Sequence, residues 1–155
     1  MKKTKIKILF LAMLIGSMTI LTTSCAKEKG CTDPDSINYN ADAEEDDGSC
    51  EYVGNAIFWF DKMTSDSLMD YGVTTLKVYI DDIQEDEISA SDYCNSEPVN
   101  LGDCGTLTIK NLGNNKSETY TYSIKDQDGD TWWEGPIFLE ANDVRKIQLK
   151  WDETL

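Results

Sequence analysis

The chain has 155 residues, with 14 Lys and Arg against 29 Asp and Glu, no His, and a net charge of −15. So acidic a surface repels nucleic acid and anionic lipid headgroups, and it suits cations, basic proteins or plain solubility. With no His in the sequence, Ser-His and Cys-His nucleophile pairs and HExxH zinc sites are excluded.

The chain opens with Lys2, Lys3, Lys5 and Lys7, followed by an apolar run from Ile8 to Leu21 broken only by Gly16, Ser17 and Thr19. Thr22, Thr23 and Ser24 then lead to Cys25. The run falls short of the roughly 20 residues a spanning helix needs, and its order of charged, apolar and small residues is that of a cleaved export signal. The stretch resembles a bacterial lipoprotein signal, with Thr22 where the usual pattern has Leu, as in relaxed forms common in the Bacteroidota. The resemblance implies a leader over residues 1–24 and a lipid on Cys25. It also implies the membrane as partner through that lipid, and a place on the cell envelope, at the outer membrane. Removing four lysines and no acid leaves 131 residues with 10 Lys and Arg against 29 acids, a net charge of −19.

Beyond Cys25 stand Cys31, Cys50, Cys94 and Cys104, an even number that suits disulfides in an oxidising compartment. Three pairings are open, and the spacing favours two local bridges, Cys31–Cys50 and Cys94–Cys104. Loop entropy makes each worth about 3 kcal/mol. There is no C-x-x-C, which argues against zinc or redox use.

Residues 25–30 read as a short polar tether, and residues 31–52 as a compact module in which Ile37, Tyr39 and the bridge are nearly all that can be buried. Its wealth of Asp, Asn and Gly predicts turns. The run from Gly30-Cys31-Thr32-Asp33 through Asn38-Tyr39 to Asp46-Asp47-Gly48-Ser49-Cys50 resembles a short module of secreted and surface proteins of the Bacteroidota. That module is loosely similar to calcium-binding thrombospondin type 3 repeats. The likeness implies a calcium site, for which Asp33, Asn38, Asn40, Asp42, Asp46 and Asp47 are the candidate oxygen ligands. Because Asp46 and Asp47 are adjacent, the D-x-D-x-D-G order of a calcium loop is missing. A disulfide-and-turn knot whose Asp and Asn side chains bond their own backbone is therefore the favoured alternative.

Residues 53–155 carry strand patterns. Ile57-Phe58-Trp59-Phe60 reads as a strand covered on both faces. Thr64 to Tyr71 is read as a loop or a single turn, with Ser65 or Asp66 as a cap. Leu76, Val78 and Ile80 share one face of a strand, and Asp81-Asp82 turns the chain into a second strand over Ile83–Ile88. Leu107 and Ile109 share one face of the next strand, with Thr106, Thr108 and Lys110 opposite. Tyr120, Tyr122 and Ile124 alternate with polar residues, and Asp126-Gln127-Asp128-Gly129 reads as a hairpin turn rather than a calcium loop. A strand through Trp132-Trp133 is expected to bend or end at Gly135-Pro136. After a turn at Glu140–Asp143, a last strand places Ile147, Leu149 and Trp151 on one face. Seven short strands predict a small antiparallel β-sandwich, Ig-like in class.

Trp132, Trp133, Tyr120 and Tyr122 are candidates for a ligand platform, although neighbouring residues of a strand point to opposite faces, so one Trp is expected in the core. Asp35-Ser36-Ile37 and Asp66-Ser67-Leu68 resemble the acceptor triplet of Bacteroides-type O-glycosylation. The sequence leads to a non-enzymatic, lipid-anchored binding or structural module. Its first rival is a carbohydrate-binding or adhesive protein, and its second a two-carboxylate hydrolase for which no pair of acids stands out.

Overall fold

The computed structural model describes residues 27–99 and 104–153, so the expected leader and Cys25 lie outside the described residues. A two-residue strand β1 (Lys29–Gly30) pairs in parallel with β2 (Glu45–Asp46). Then follow β3 (Tyr52–Trp59), helix α1 (Lys62–Asp70), β4 (Thr75–Ile80), β5 (Ile83–Ser89), β6 (Thr106–Gly113), β7 (Ser117–Asp126), β8 (Thr131–Glu140) and β9 (Val144–Gln148). A 3-10 turn, Trp151–Glu153, closes the described chain. The seven long strands form the expected small β-sandwich, one sheet ordered β6-β3-β9 and the other β5-β4-β7-β8. All pairs in it are antiparallel except β3 with β9.

Strand β3 is covered on both faces, as its unbroken apolar run predicts. Tyr52, Ala56 and Phe58 face the main core, where they meet Leu76, Val78, Ile124, Trp133, Ile137 and Leu139 from the opposite sheet. The sheets approach closely at Gly54, where a Cβ would lie 2.7 Å from that of Leu139. On the outer side Ile57 and Trp59 pack with Cys94, Cys104, Leu107 and Val144. The Cys94–Cys104 bridge thus lies over the outside of the three-stranded sheet, and both disulfides pair as the spacing favours.

The β4–β5 hairpin turns at Asp81 and Asp82, both with positive φ (49° and 64°), the conformation of a two-residue hairpin turn whose twist matches its strands. Strand β8 runs through Gly135 and Pro136 without a break, because it is an edge strand on which proline needs no donor to an outer neighbour.

Four expectations need correction. The stretch after Asp61 is a nine-residue helix, α1, rather than a loop: Asp61 Oδ1 accepts from Thr64 N at 2.9 Å and caps it four residues earlier than Ser65. Its buried face is Thr64, Ser65 and Leu68, mostly polar, and the Ser65 hydroxyl is satisfied by Ala90 O at 2.6 Å. The last strand stops at Gln148, and Trp151 sits in the 3-10 turn. In the module, Ile37 and Tyr39 are exposed, because Cys31 and Cys50 join the sandwich core directly and leave no separate interior to fill. Finally, Lys29 and Gly30 of the expected tether belong to the module, and Tyr52 to the sandwich.

Leu107 and Ile109 share one face of β6 as expected, and the face turned to the main core is the opposite one. Thr106, Thr108 and Leu112 are buried, whereas Ile109 is 58% exposed and Leu107 packs outward under the disulfide. Thr106 Oγ1 donates to Asp86 Oδ2 on β5, but Thr108 Oγ1 has no partner among the described residues. A buried hydroxyl left unpaired costs about 1–3 kcal/mol. Thr108→Val should therefore raise stability to urea by about 1 kcal/mol, while Ile109→Thr should change it by less than about 0.5 kcal/mol. The opposite ranking of these two variants would place Leu107 and Ile109 on the core side.

Candidate functional site

The two ends of the sandwich differ. At one end, β7 passes into β8 through the acidic turn. Asp126, the buried last residue of β7, accepts at Oδ1 from the amides of Asp128, Gly129 and Asp130, each at 2.9 Å. Its Oδ2 accepts from Trp132 Nε1 at 3.0 Å. Burial works against the charge on Asp126, but the hydrogen bonds from Trp132 and the three amides outweigh it and hold the carboxyl below its ordinary value. The carboxylate thus organises a hairpin turn, with Gly129 at φ 95° completing it.

That turn also explains the aromatic residues. Ile124 pairs with Trp133 and Lys125 with Thr131, so Trp132 is the extra residue of a β-bulge. The simple alternation of a strand is broken there, and both tryptophans lean on the core. Trp133 is buried, with its Nε1 donating to Lys150 O at 2.9 Å, and presents no ring to solvent. Trp132 is half-buried, and its ring centroid lies 5.7 Å from Trp151, 6.1 Å from Tyr71 and 6.3 Å from Trp133. Tyr71 and Trp151 are 5.1 Å apart, and Tyr71 is 73% exposed.

The four residues expected as a platform therefore do not form one surface. Tyr122 lies half-buried against Phe58 at 5.2 Å. Tyr120 pairs with Ile137, four residues along β7 from Ile124 and so about 13 Å away. Burial, then the Glu118 carboxylate, pushes its phenol up to about 12. The structure instead groups Trp132 with Tyr71 and Trp151. Tyr71 follows a helix where the sequence favours a loop or single turn, and Trp151 lies beyond the last strand; neither has a local motif.

At the other end the disulfide module docks. Asp33 Oδ2 accepts from Tyr52 Oη at 2.8 Å and pairs with Lys116 Nζ at 2.6 Å, while its Oδ1 accepts from Asp35 N at 3.1 Å. Asn142, in the turn after β8, donates from Nδ2 to Asp35 O at 3.2 Å, and Asn114 Nδ2 donates to Gly48 O at 3.2 Å. The other candidate calcium ligands are engaged locally. Asn38 accepts from Glu51 N and donates to Ser49 O, and Asn40 Oδ1 accepts from Asp42 N. Asp46 and Asp47 accept from Gly48 N and Ser49 N. Asp42 is exposed. Among the described residues, no group of three or more Asp, Glu, Cys or His is placed to hold a metal ion. Ser36, of the first glycosylation triplet, is nearly buried and donates to Asp33 O at 2.9 Å.

No protein-family model matches the chain, and no curated protein or solved structure is significantly similar to it.

Both ends yield a test. Asp126→Asn keeps one acceptor oxygen but sets an amide donor against Trp132 Nε1–H, so it should cost about 2 kcal/mol in urea unfolding followed by tryptophan emission. A loss below about 0.5 kcal/mol would remove Asp126 as the organiser of the turn. The hydrogen bonds of Lys116, Tyr52 and the Asp35 amide hold Asp33 down to about 2, from 3.8. A lowered carboxyl stabilises the fold fully above its unfolded value and loses that contribution as pH falls through the folded one. Wild-type stability should thus decline between about pH 4 and pH 2 more steeply than that of Asp33→Asn, which lacks the titrating group. Parallel acid profiles would detach Asp33 from the docking.

Proposed function

We propose that this chain is a non-enzymatic protein exported through a cleaved leader and held on the cell envelope by a lipid on Cys25, where the sandwich acts as a binding module. The disulfides carry this reading. Cys31–Cys50 and Cys94–Cys104 use four of the five cysteines, a pairing that belongs to an oxidising compartment. Cys25 is left over, directly behind a charged, apolar and small-residue stretch of export type. No described helix is long and apolar enough to cross a membrane.

A non-enzymatic role is supported by the lack of His in the sequence and by the local bonding of the acids in the two acidic turns. The chain offers no charge pattern for nucleic acid, since its acids outnumber its bases 29 to 14.

The test is the anchor. Expressed in a bacterial host and labelled with palmitate, the wild-type chain should carry label and sediment with envelope membranes. Cys25→Ser should abolish the label and either release the protein to the soluble fraction or leave the leader uncleaved. Label that survives the substitution, or a wild-type protein that is soluble and unlabelled, would overturn the reading.

A further inference from the structure

The aromatic group at the hairpin end is a surface with a defined chemistry. Tyr71, Trp132 and Trp151 contact one another at 5.1 to 6.1 Å, too close to enclose a ligand between them; Tyr71 is exposed, and Trp132 and Trp151 are half-buried beside it. The Trp132 indole N–H is tied to Asp126, which fixes that ring before any partner arrives. The rim is acidic. Asp70 precedes Tyr71, Asp152 follows Trp151, and Asp128 and Asp130 lie in the turn beside Trp132; all four are exposed. Among the described residues none of the four forms an ion pair, and Asp128 Oδ2 accepts from Gln127 Nε2 at 3.1 Å. With Asp126, five carboxylates stand against three neighbouring cations, Lys150, Lys125 and Lys77, whose Nζ donates to Gln127 O at 3.3 Å.

Electron-rich ring faces within a negative field attract a cation, most strongly when Trp supplies the face. Arginine suits such a surface better than lysine, because its planar guanidinium stacks on indole while its fork pairs with a carboxylate. With Tyr71 73% exposed, the surface is open, whereas small-molecule sites bury most of their ligand. The charge therefore has to be brought by a larger partner.

We propose that Tyr71, Trp132 and Trp151 form a docking site for an arginine-bearing segment of a partner protein. The inference rests on the reading of the chain as an anchored binding module and names its partner chemistry. The site lies at the opposite end of β7 from the disulfide module, about 30 Å away along a ten-residue strand. It is thus on the side away from the lipid proposed on Cys25.

The experiment titrates the full chain, purified with its disulfides oxidised, with a Gly-Arg repeat nonapeptide and follows tryptophan fluorescence. Matching Gly-Lys and Gly-Ser peptides and the neutral oligosaccharide cellohexaose serve as comparisons. The arginine peptide should bind, severalfold more tightly than the lysine peptide, with affinity falling as salt rises from 50 to about 300 mM. Tyr71→Ala, at a mostly exposed ring, should weaken binding about fivefold with unfolding unchanged. Asp70→Asn combined with Asp152→Asn should weaken it while leaving the rings intact. Equal binding of the serine peptide, or wild-type affinity in Tyr71→Ala, would overturn the proposal. Binding of cellohexaose without the arginine peptide would overturn it in favour of a glycan. Palmitate labelling and sedimentation of Tyr71→Ala should match wild type, so failure here leaves the anchor reading to its own test.

Discussion

Strand β3 is buried on both faces and paired on both edges, and the remainder of the fold follows from those demands. Its inner residues need a second sheet, which β4, β5, β7 and β8 supply. Its edges need β6 on one side and the parallel β9 on the other, so the first and last long strands lie side by side. The outer residues, Ile57 and Trp59, need a cover that a two-sheet sandwich does not provide. The Cys94–Cys104 bridge itself contributes to it, with Leu107 facing outward to join that cluster. In a domain this small, a bridge that both shortens the unfolded chain's freedom and shields apolar area is an efficient use of residues.

The same economy governs the module. Twenty-odd residues cannot bury enough apolar surface to fold alone, and Ile37 and Tyr39 remain in solvent. Order comes instead from the bridge, whose sulfurs enter the sandwich core, and from Asp33, which ties Tyr52 at the start of β3 to Lys116 at the start of β7. The dense Asp and Asn side chains cap their own turns, at Asp35, Asp42, Gly48 and Ser49. Acidity in this segment is thereby accounted for by backbone amides that have no helix or sheet partner.

Strands with one apolar face were legible in the sequence, since Leu76, Val78 and Ile80, or Tyr120, Tyr122 and Ile124, keep period two against a single core. Legibility failed where two cores compete for one strand. Thr106 and Thr108 have nearly the shape of valine and occupy the inner face of β6, while Leu107 serves the outer cluster, so apolarity alone does not tell which face turns inward. Helix α1 is open in the sequence, where Thr64–Tyr71 could be helical, but a loop is favoured there because its buried face is Thr64, Ser65 and Leu68, with a hydroxyl satisfied by a distant carbonyl, and because its cap is Asp61. The aromatic site was half visible. Trp132 stood out, but the bulge that turns it beside Trp133 depends on the Asp126 network, and Tyr71 and Trp151 come from segments some 60 and 20 residues away in sequence.

The chain thus has a direction built into it. Three residues lie between Cys25 and Lys29, the first residue of β1, and four steps of extended chain span at most about 14 Å. On the proposed reading, a lipid at Cys25 would keep the module close to the bilayer surface, while Asp33, Asp35 and Gly48 fasten the module to the Lys116, Asn142 and Asn114 end of the sandwich. Strands β7 and β8 would then carry the opposite end outward. The acidic surface strengthens that polarity, because anionic headgroups repel it and oppose its lying flat. At the hairpin end the exposed Tyr71 ring stands beside Trp132 and Trp151, with Asp126 fixing the Trp132 indole. A partner approaching from beyond the membrane meets that end first, whereas one embedded in the bilayer meets the disulfide module.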